Sequence, residues 1–240
     1  MYQLRLEDSF DAVKVAKEST DDFPYLYRHE KSERVLLTDT NGNAYIVNNA
    51  NGLTVEKKIQ SSPYDNKSKI GEGMFISAYL DHGTAPKDAS YEYLMLVEAT
   101  AKERSNYVKT LPYDVIQADD SAHAVRDNIT GITAYISYKG YTSESSLVRE
   151  MPSEVIVMER TKSDESVVMS VCTPDLGITQ KGYTTSQPSQ PLLKEIHLNG
   201  KWTLKSACSN VAATIIGDQT VVSATCIHGQ PVEFELVADK

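Results

Sequence analysis

The run Val35-Leu36-Leu37-Thr38-Asp39-Thr40-Asn41-Gly42-Asn43-Ala44-Tyr45-Ile46-Val47 decides the fold class of this chain. Two apolar runs flank a turn cluster containing Asn-Gly, a pair that accepts the positive φ angles of a tight turn at little cost. The pattern reads as a β-hairpin. Outwards from it, a second turn at Asn48-Asn49-Ala50-Asn51-Gly52 leads into a partly alternating strand over residues 53–60, and the polar stretch 61–69 reads as a loop. Residues 74–80 and 91–97 read as further strands, the latter apolar enough to be central in a sheet. Gly71-Glu72-Gly73 reads as a tight turn rather than a nucleotide loop, because no phosphate-facing helix follows it. Towards the N-terminus no period is clear, and Asp21-Asp22-Phe23-Pro24 breaks whatever precedes it.

Near residue 100 the texture changes. The charged run Ala101-Lys102-Glu103-Arg104-Ser105-Asn106 reads as a short helical turn or a linker, and a domain boundary is placed there, giving segments 1–103 and 104–240. Beyond it short strands recur at about ten-residue intervals: 114–117, 122–125, 132–138, 155–159, 166–172, 194–198, 210–216, 220–227 and 232–237. Turns such as Asn128-Ile129-Thr130-Gly131, Asn199-Gly200 and His228-Gly229-Gln230-Pro231 separate them, and residues 179–191 read as an exposed polar loop. The expected fold is all-β, an antiparallel sandwich followed by a smaller C-terminal antiparallel β-domain.

Composition agrees with strands: Tyr (14) far outnumbers Phe (4), and aromatic and β-branched residues suit a pleated surface. The net charge of −9 leaves no basic footprint for nucleic acid or anionic lipid. It also disfavours an acidic polysaccharide unless a local basic cleft overrides it. No stretch approaches the roughly 18 apolar residues of a membrane span, and Met1-Tyr2-Gln3-Leu4-Arg5-Leu6 lacks the pattern of a signal peptide. The cysteines Cys172, Cys208 and Cys226 lack C-x-x-C spacing. They read as buried free thiols, with a Cys208–Cys226 disulfide as the alternative.

Chemistry-bearing patterns are sparse. The G-x-S-x-G elbow, the P-loop, the dinucleotide fingerprint and H-E-x-x-H are all missing. His29, His123, His197 and His228 scatter among turns and strand edges with no metal-ligand spacing. Asp81-His82-Gly83 follows an apolar strand, so His82 could be a general base oriented by Asp81, or the three could form a turn. Asp119-Asp120 reads as a turn rather than half of a carboxylate pair. Trp202 reads as core beside a hairpin turn. Tyr91 and Tyr93 share one strand face whereas Tyr135 and Tyr138 point to opposite faces. Such tyrosines can form a binding platform or a core edge with wet hydroxyls, and the core edge is the preferred reading.

Two segments carry a resemblance. Phe75-Ile76-Ser77-Ala78-Tyr79-Leu80-Asp81-His82-Gly83-Thr84-Ala85-Pro86-Lys87-Asp88-Ala89-Ser90-Tyr91-Glu92-Tyr93-Leu94 resembles the His-Gly, Pro, Lys-Asp-Ala-Ser-Tyr-x-Tyr signature of polysaccharide lyases acting on chondroitin, hyaluronan and xanthan, above all the chondroitin sulfate ABC lyases. Ser170-Val171-Cys172-Thr173-Pro174-Asp175-Leu176-Gly177, with Asn199-Gly200-Lys201-Trp202 after it, is similar to the final domain of those enzymes, and the Asn41-Gly42-Asn43 turn also fits. The matches run in order from about residue 24 to the C-terminus.

The resemblance implies that residues 1–103 correspond to the C-terminal part of a central β-sandwich and 104–240 to a C-terminal β-domain. It implies β-elimination at a uronic acid, with the catalytic His, Tyr and Arg carried by a helical toroid that has no counterpart here. No catalytic, metal-binding or cofactor-binding residue is therefore assigned to this chain, and no sugar-binding residue is named. The resemblance turns the Asp81-His82-Gly83 reading towards a turn. Its implied partners are the toroid domain and, through it, an acidic polysaccharide, in a parent enzyme that is secreted or periplasmic. It implies too that the first hundred residues carry exposed apolar faces and unpaired strand edges. A stand-alone carbohydrate-binding sandwich and a structural or adhesion module are the alternatives.

Overall fold

A computed structural model of the chain describes residues 5–7, 18–19, 24–39, 41–64, 69–163, 165–176 and 189–239. Two compact units meet at Leu111–Pro112. The first contains β1 (Arg5–Glu7), β2 (Glu18–Ser19), β3 (Tyr25–Arg28), β4 (Val35–Thr38), β5 (Ala44–Asn48), β6 (Leu53–Tyr64), β7 (Lys69–Leu80), β8 (Glu92–Leu96) and the helix α1 (Ala101–Lys109). One antiparallel sheet runs β2-β1-β4-β5-β8 and a second runs β3-β6-β7.

The hairpin at residues 35–47 is β4–β5, paired from Val35↔Val47 to Thr38↔Ala44. Its turn is tied by Asp39, whose Oδ1 accepts from the N–H groups of Asn41 and Asn43, both at 2.9 Å, while Gly42 takes φ +86°. All four residues of β4 are buried, because both faces of the sheet are covered. Val35, Leu37 and Val47 pack against Leu53 and Val55, whereas Leu36, Ala44 and Ile46 pack against Tyr107, Val108 and Leu111 of α1 and its C-terminal flank. That packing makes the charged run at 101–106 part of a helix belonging to the first unit, which extends to Leu111. A capping box starts it: Glu103 N–H donates to Thr100 Oγ1 at 3.2 Å, and Thr100 N–H donates to Glu103 Oε2 at 2.8 Å. At the other end Arg34 Nη1 donates to the carbonyl of Val108 at 2.7 Å, satisfying a carbonyl that the helix leaves open.

Residues 61–64 and 69 of the expected 61–69 loop are strand, because β6 and β7 pair throughout from Leu53↔Leu80 to Tyr64↔Lys69. Gly71-Glu72-Gly73 therefore lies within β7 and is no turn. The polar linker 179–191 lies almost wholly outside the described residues, as does most of the unperiodic N-terminal stretch.

The second unit contains β9 (Tyr113–Ala118), β10 (Ala122–Asp127), β11 (Ile132–Ser137), β12 (Tyr141–Thr142), β13 (Val148–Met151), β14 (Val155–Ser163), β15 (Ser166–Cys172), β16 (Leu192–Asn199), β17 (Trp202–Leu204), β18 (Val211–Ile216), β19 (Gln219–Cys226) and β20 (Val232–Ala238). A sheet ordered β17-β20-β15-β14-β11-β10-β9 and one ordered β12-β13-β16-β19-β18 enclose one core. Alternation decides which side chains enter it: Val167, Met169 and Val171 of β15 and Val222, Ala224 and Cys226 of β19 are buried, and their neighbours are not. The expected all-β antiparallel sandwich is what forms. The three thiols are free; Cys226 is buried, while Cys172 and Cys208 are half-buried, less enclosed than buried thiols would be.

Asp119 caps the β9–β10 turn. Its Oδ1 accepts from Ser121 N–H at 2.7 Å, Ser121 Oγ at 2.8 Å and Ala122 N–H at 3.0 Å. The Ala122 N–H foremost, then Ser121, holds the carboxyl down at about 2, against 3.8 ordinarily. A lowered folded pKa contributes stability that is present above the unfolded value and is lost as pH falls through the folded one. The second unit should therefore weaken between about pH 4 and pH 2, and Asp119→Asn should flatten that decline in pH-stepped urea denaturation. An unchanged acid profile would count against this role for Asp119.

Candidate functional site

In the first unit, β6 and β7 are 12 residues each, whereas the facing β4 and β5 have 4 and 5. The long hairpin thus overhangs the sheet opposite. Along the inner face of β6, Leu53, Val55 and Lys57 are 2%, 0% and 4% exposed, but Ile59 is 60% exposed. The inner face of β7 shows the same break, with Met74, the partner of Ile59, standing exposed. Where the two sheets part, a groove of about 950 Å³ opens. Its floor is aliphatic, formed by Leu37, Val47, Leu53, Ile76 and Leu80, and its rim carries Phe75, Tyr79, Tyr91, Tyr93, His82 and the Asp39–Asn43 turn.

The rim residues belong to the stretch that carries the resemblance. Tyr91 and Tyr93 stack with centroids 6.4 Å apart and planes 18° from parallel. At 69% and 56% exposure they face solvent and are not the core edge expected of them. Tyr135 and Tyr138 do divide between faces, Tyr135 buried against Tyr141 and Tyr138 exposed beside His123. Asp39 and Asn43 on the rim are committed to bonds within the protein. Asp39 Oδ2 accepts from Asn43 Nδ2 at 2.8 Å, and Asn43 Oδ1 accepts from Glu98 N–H at 3.1 Å. Burial foremost, then the Asp39 carboxylate, raises the Tyr45 phenol above its ordinary value, so it stays neutral.

The general-base candidate His82 is not oriented by Asp81. Asp81 Oδ1 accepts from Gly83 N–H at 2.8 Å, so this carboxylate serves its own turn, with Gly83 at φ +73°. His29 pairs with Tyr27, whose hydroxyl lies 2.9 Å from Nδ1. The pair contains the right groups for proton transfer, but His29 is 4% exposed and its Nε2 is enclosed without a hydrogen-bond partner. His123 packs edge-on against Tyr138, His197 lies in β16 opposite Val221, and His228 meets the Ser189 hydroxyl. Glu159 is the buried carboxylate of the second unit; burial raises it, while the Thr133 hydroxyl and the Arg126 charge oppose that shift. It faces the core with Thr133 and Met169, its direct cross-strand neighbours. Among the described residues no group of three His, Cys, Asp or Glu side chains could hold a metal ion.

The second segment of the resemblance has a structural task. Trp202 is half-buried against the core, as expected, and its Nε1 donates to the Asn199 carbonyl at 2.8 Å. Gly200 at φ +90° turns the chain, and a Cβ there would lie 3.0 Å from Trp202 Nε1.

Comparison with known proteins now gives this geometry a context. The chain is 27% identical over 241 residues to a chondroitin sulfate ABC endolyase of Proteus vulgaris, a match covering 98% of this chain and 23% of that protein. A chondroitin sulfate ABC exolyase of the same organism is 31% identical over 145 residues, covering 60% of this chain and 14% of the exolyase. Along nearly its whole length the chain is therefore similar to part of a polysaccharide lyase. Solved polysaccharide lyases share its fold. A Paenibacillus xanthan lyase superposes with a TM-score of 0.70 at 14% identity, over 99% of this chain and 22% of the lyase. A Streptomyces coelicolor A3 chondroitin AC lyase, solved in complex with chondroitin sulphate, gives 0.65 at 17% identity over 91% and 28%. No protein-family model matches the chain. The chain thus spans less than a third of the length of each of these lyases.

Proposed function

We propose that this chain is the β-rich supporting part of a glycosaminoglycan lyase, corresponding to its C-terminal β-domains, and that it does not cleave polysaccharide by itself. The observation that carries the reading is the match to the P. vulgaris endolyase along 98% of this chain but only 23% of the enzyme. The site geometry supports it. β-Elimination at a uronic acid needs a base for the C5 proton, an acid for the leaving oxygen and a cationic partner for the carboxylate. The described histidines are buried, turn-bound or paired with neutral neighbours. The net charge of −9 also opposes a sulfated polyanion, so a basic cleft has to come from another domain. In this reading the partner is a helical toroid domain, and the acidic polysaccharide is engaged through it. The parent enzyme works outside the cytoplasm, since a polymeric substrate does not cross the membrane; cell fractionation showing it in the cytosol would count against that placement.

The decisive assay incubates the purified chain with chondroitin sulfate, dermatan sulfate and hyaluronan and follows the ultraviolet absorbance of the unsaturated uronate product. The expected outcome is no rise above buffer. Turnover that persists after repurification would overturn the supporting role.

A further inference from the structure

From the open groove of the first unit we infer a docking seat for an extended polypeptide strand supplied by the remainder of the lyase, laid along the free edge of β7. The inference rests on the lyase reading above. Among the described residues β7 ends its sheet, so its outer edge borders the groove without a paired strand. An edge strand presents a row of unsatisfied N–H and C=O groups, and a strand added there satisfies them by main-chain bonding.

The lining selects among occupants. Leu37, Val47, Leu53, Ile76 and Leu80 make the floor aliphatic, and all five belong to the core cluster of this sandwich. A saccharide laid on that floor would turn hydroxyls onto aliphatic carbon, where no partner answers them. Asp39 and Asn43 on the rim are already bonded within their turn and to Glu98. An alternating strand suits the groove better, with apolar side chains against the floor and polar ones towards water. The exposed inner-face residues Ile59 and Met74 continue that surface along the overhang. The source of the strand follows from length: the match covers 23% of the endolyase, so most of such an enzyme lies outside this chain.

The test uses the full chain and three probes: short overlapping peptides tiling the part of the P. vulgaris endolyase outside the matched region, a designed alternating Val/Thr peptide, and a chondroitin oligosaccharide. Binding is read by tyrosine fluorescence and by hydrogen exchange at β7. The expected result is that one or a few tiled peptides of alternating pattern bind and slow exchange along β7. Ala78→Glu, which places a charge in the groove wall, should weaken them about tenfold or more. Ser77→Glu, at the neighbouring position of β7, should leave binding within about twofold, and unchanged circular dichroism would show both variants folded. Oligosaccharide binding in the groove with no peptide binding would overturn the proposal, and so would no binding by any probe; neither result touches the lyase reading. Binding of the designed peptide without any tiled peptide would overturn the lyase as the source of the strand while leaving the groove a strand seat.

Discussion

Replacing Leu236 with alanine is expected to destabilise the second unit by about 2–5 kcal/mol. Leu236 is fully buried on β20, opposite Val167 of β15 on one side and Leu204 of β17 on the other. The truncation removes apolar surface from a packed interior and leaves a cavity that neighbouring strands, held by their ladders, refill only in part. A unit of this size should lose roughly 10 °C in melting temperature. Leu236→Met, which nearly conserves volume, should cost less than about 1.5 kcal/mol. Ile216→Ala, at a position 61% exposed on β18, should stay within about 0.5 kcal/mol. Urea denaturation of the three variants checks the order; a loss below about 1 kcal/mol for Leu236→Ala would remove this residue from the core that the sandwich is built on.

Thr220→Val should also destabilise, although it keeps the shape of the side chain. Thr220 is fully buried, and its Oγ1 accepts from Trp202 N–H at 2.8 Å while donating to the Gly200 carbonyl at 2.9 Å. Valine would remove both bonds; the carbonyl of the exposed Gly200 can turn to water, while the N–H of the half-buried Trp202 is left poorly paired. The expected total is about 1–3 kcal/mol. Thr220→Ser keeps the hydroxyl and loses one methyl, so it should cost about 1 kcal/mol. Trp202 is the sole tryptophan of the chain, so its emission reports on this turn directly. A red shift in Thr220→Val but not in Thr220→Ser is the expected signature; equal behaviour of the two variants would show that the hydroxyl is not what holds the turn.

The strands that were easiest to read are those with one wet face. β15 and β19 alternate residue by residue, and the reading placed them to within a residue of their ends. β6 and β7 were harder because their outer halves leave the sheet opposite, so Ser61, Ser62 and Pro63 are polar or turn-like residues in a paired ladder. Polarity there reports exposure, not the absence of a strand. The helix at 101–109 was half-legible: Thr100 and Glu103 have capping-box spacing, but the helix has no fully buried residue and hence only a weak apolar stripe. The short β12 and β13 escaped notice because two to four residues are too few to establish a period.

By itself, then, the order of residues determined the all-β class, the hairpin at 35–47 and the kinship with polysaccharide lyases, because turn chemistry and alternation are local and a long motif keeps its spacing. It also determined that Asp81-His82-Gly83 has a turn's composition, to which the structure adds the Asp81–Gly83 bond. The groove is a different matter. It exists because two 12-residue strands face strands of 4 and 5 residues, and Tyr93 stands exposed on β8, which among the described residues lies at a sheet edge and not centrally as its apolar run suggests. Strand order and the length of a facing strand are set by pairings between distant residues, which no local pattern encodes. Only the tertiary structure could decide them.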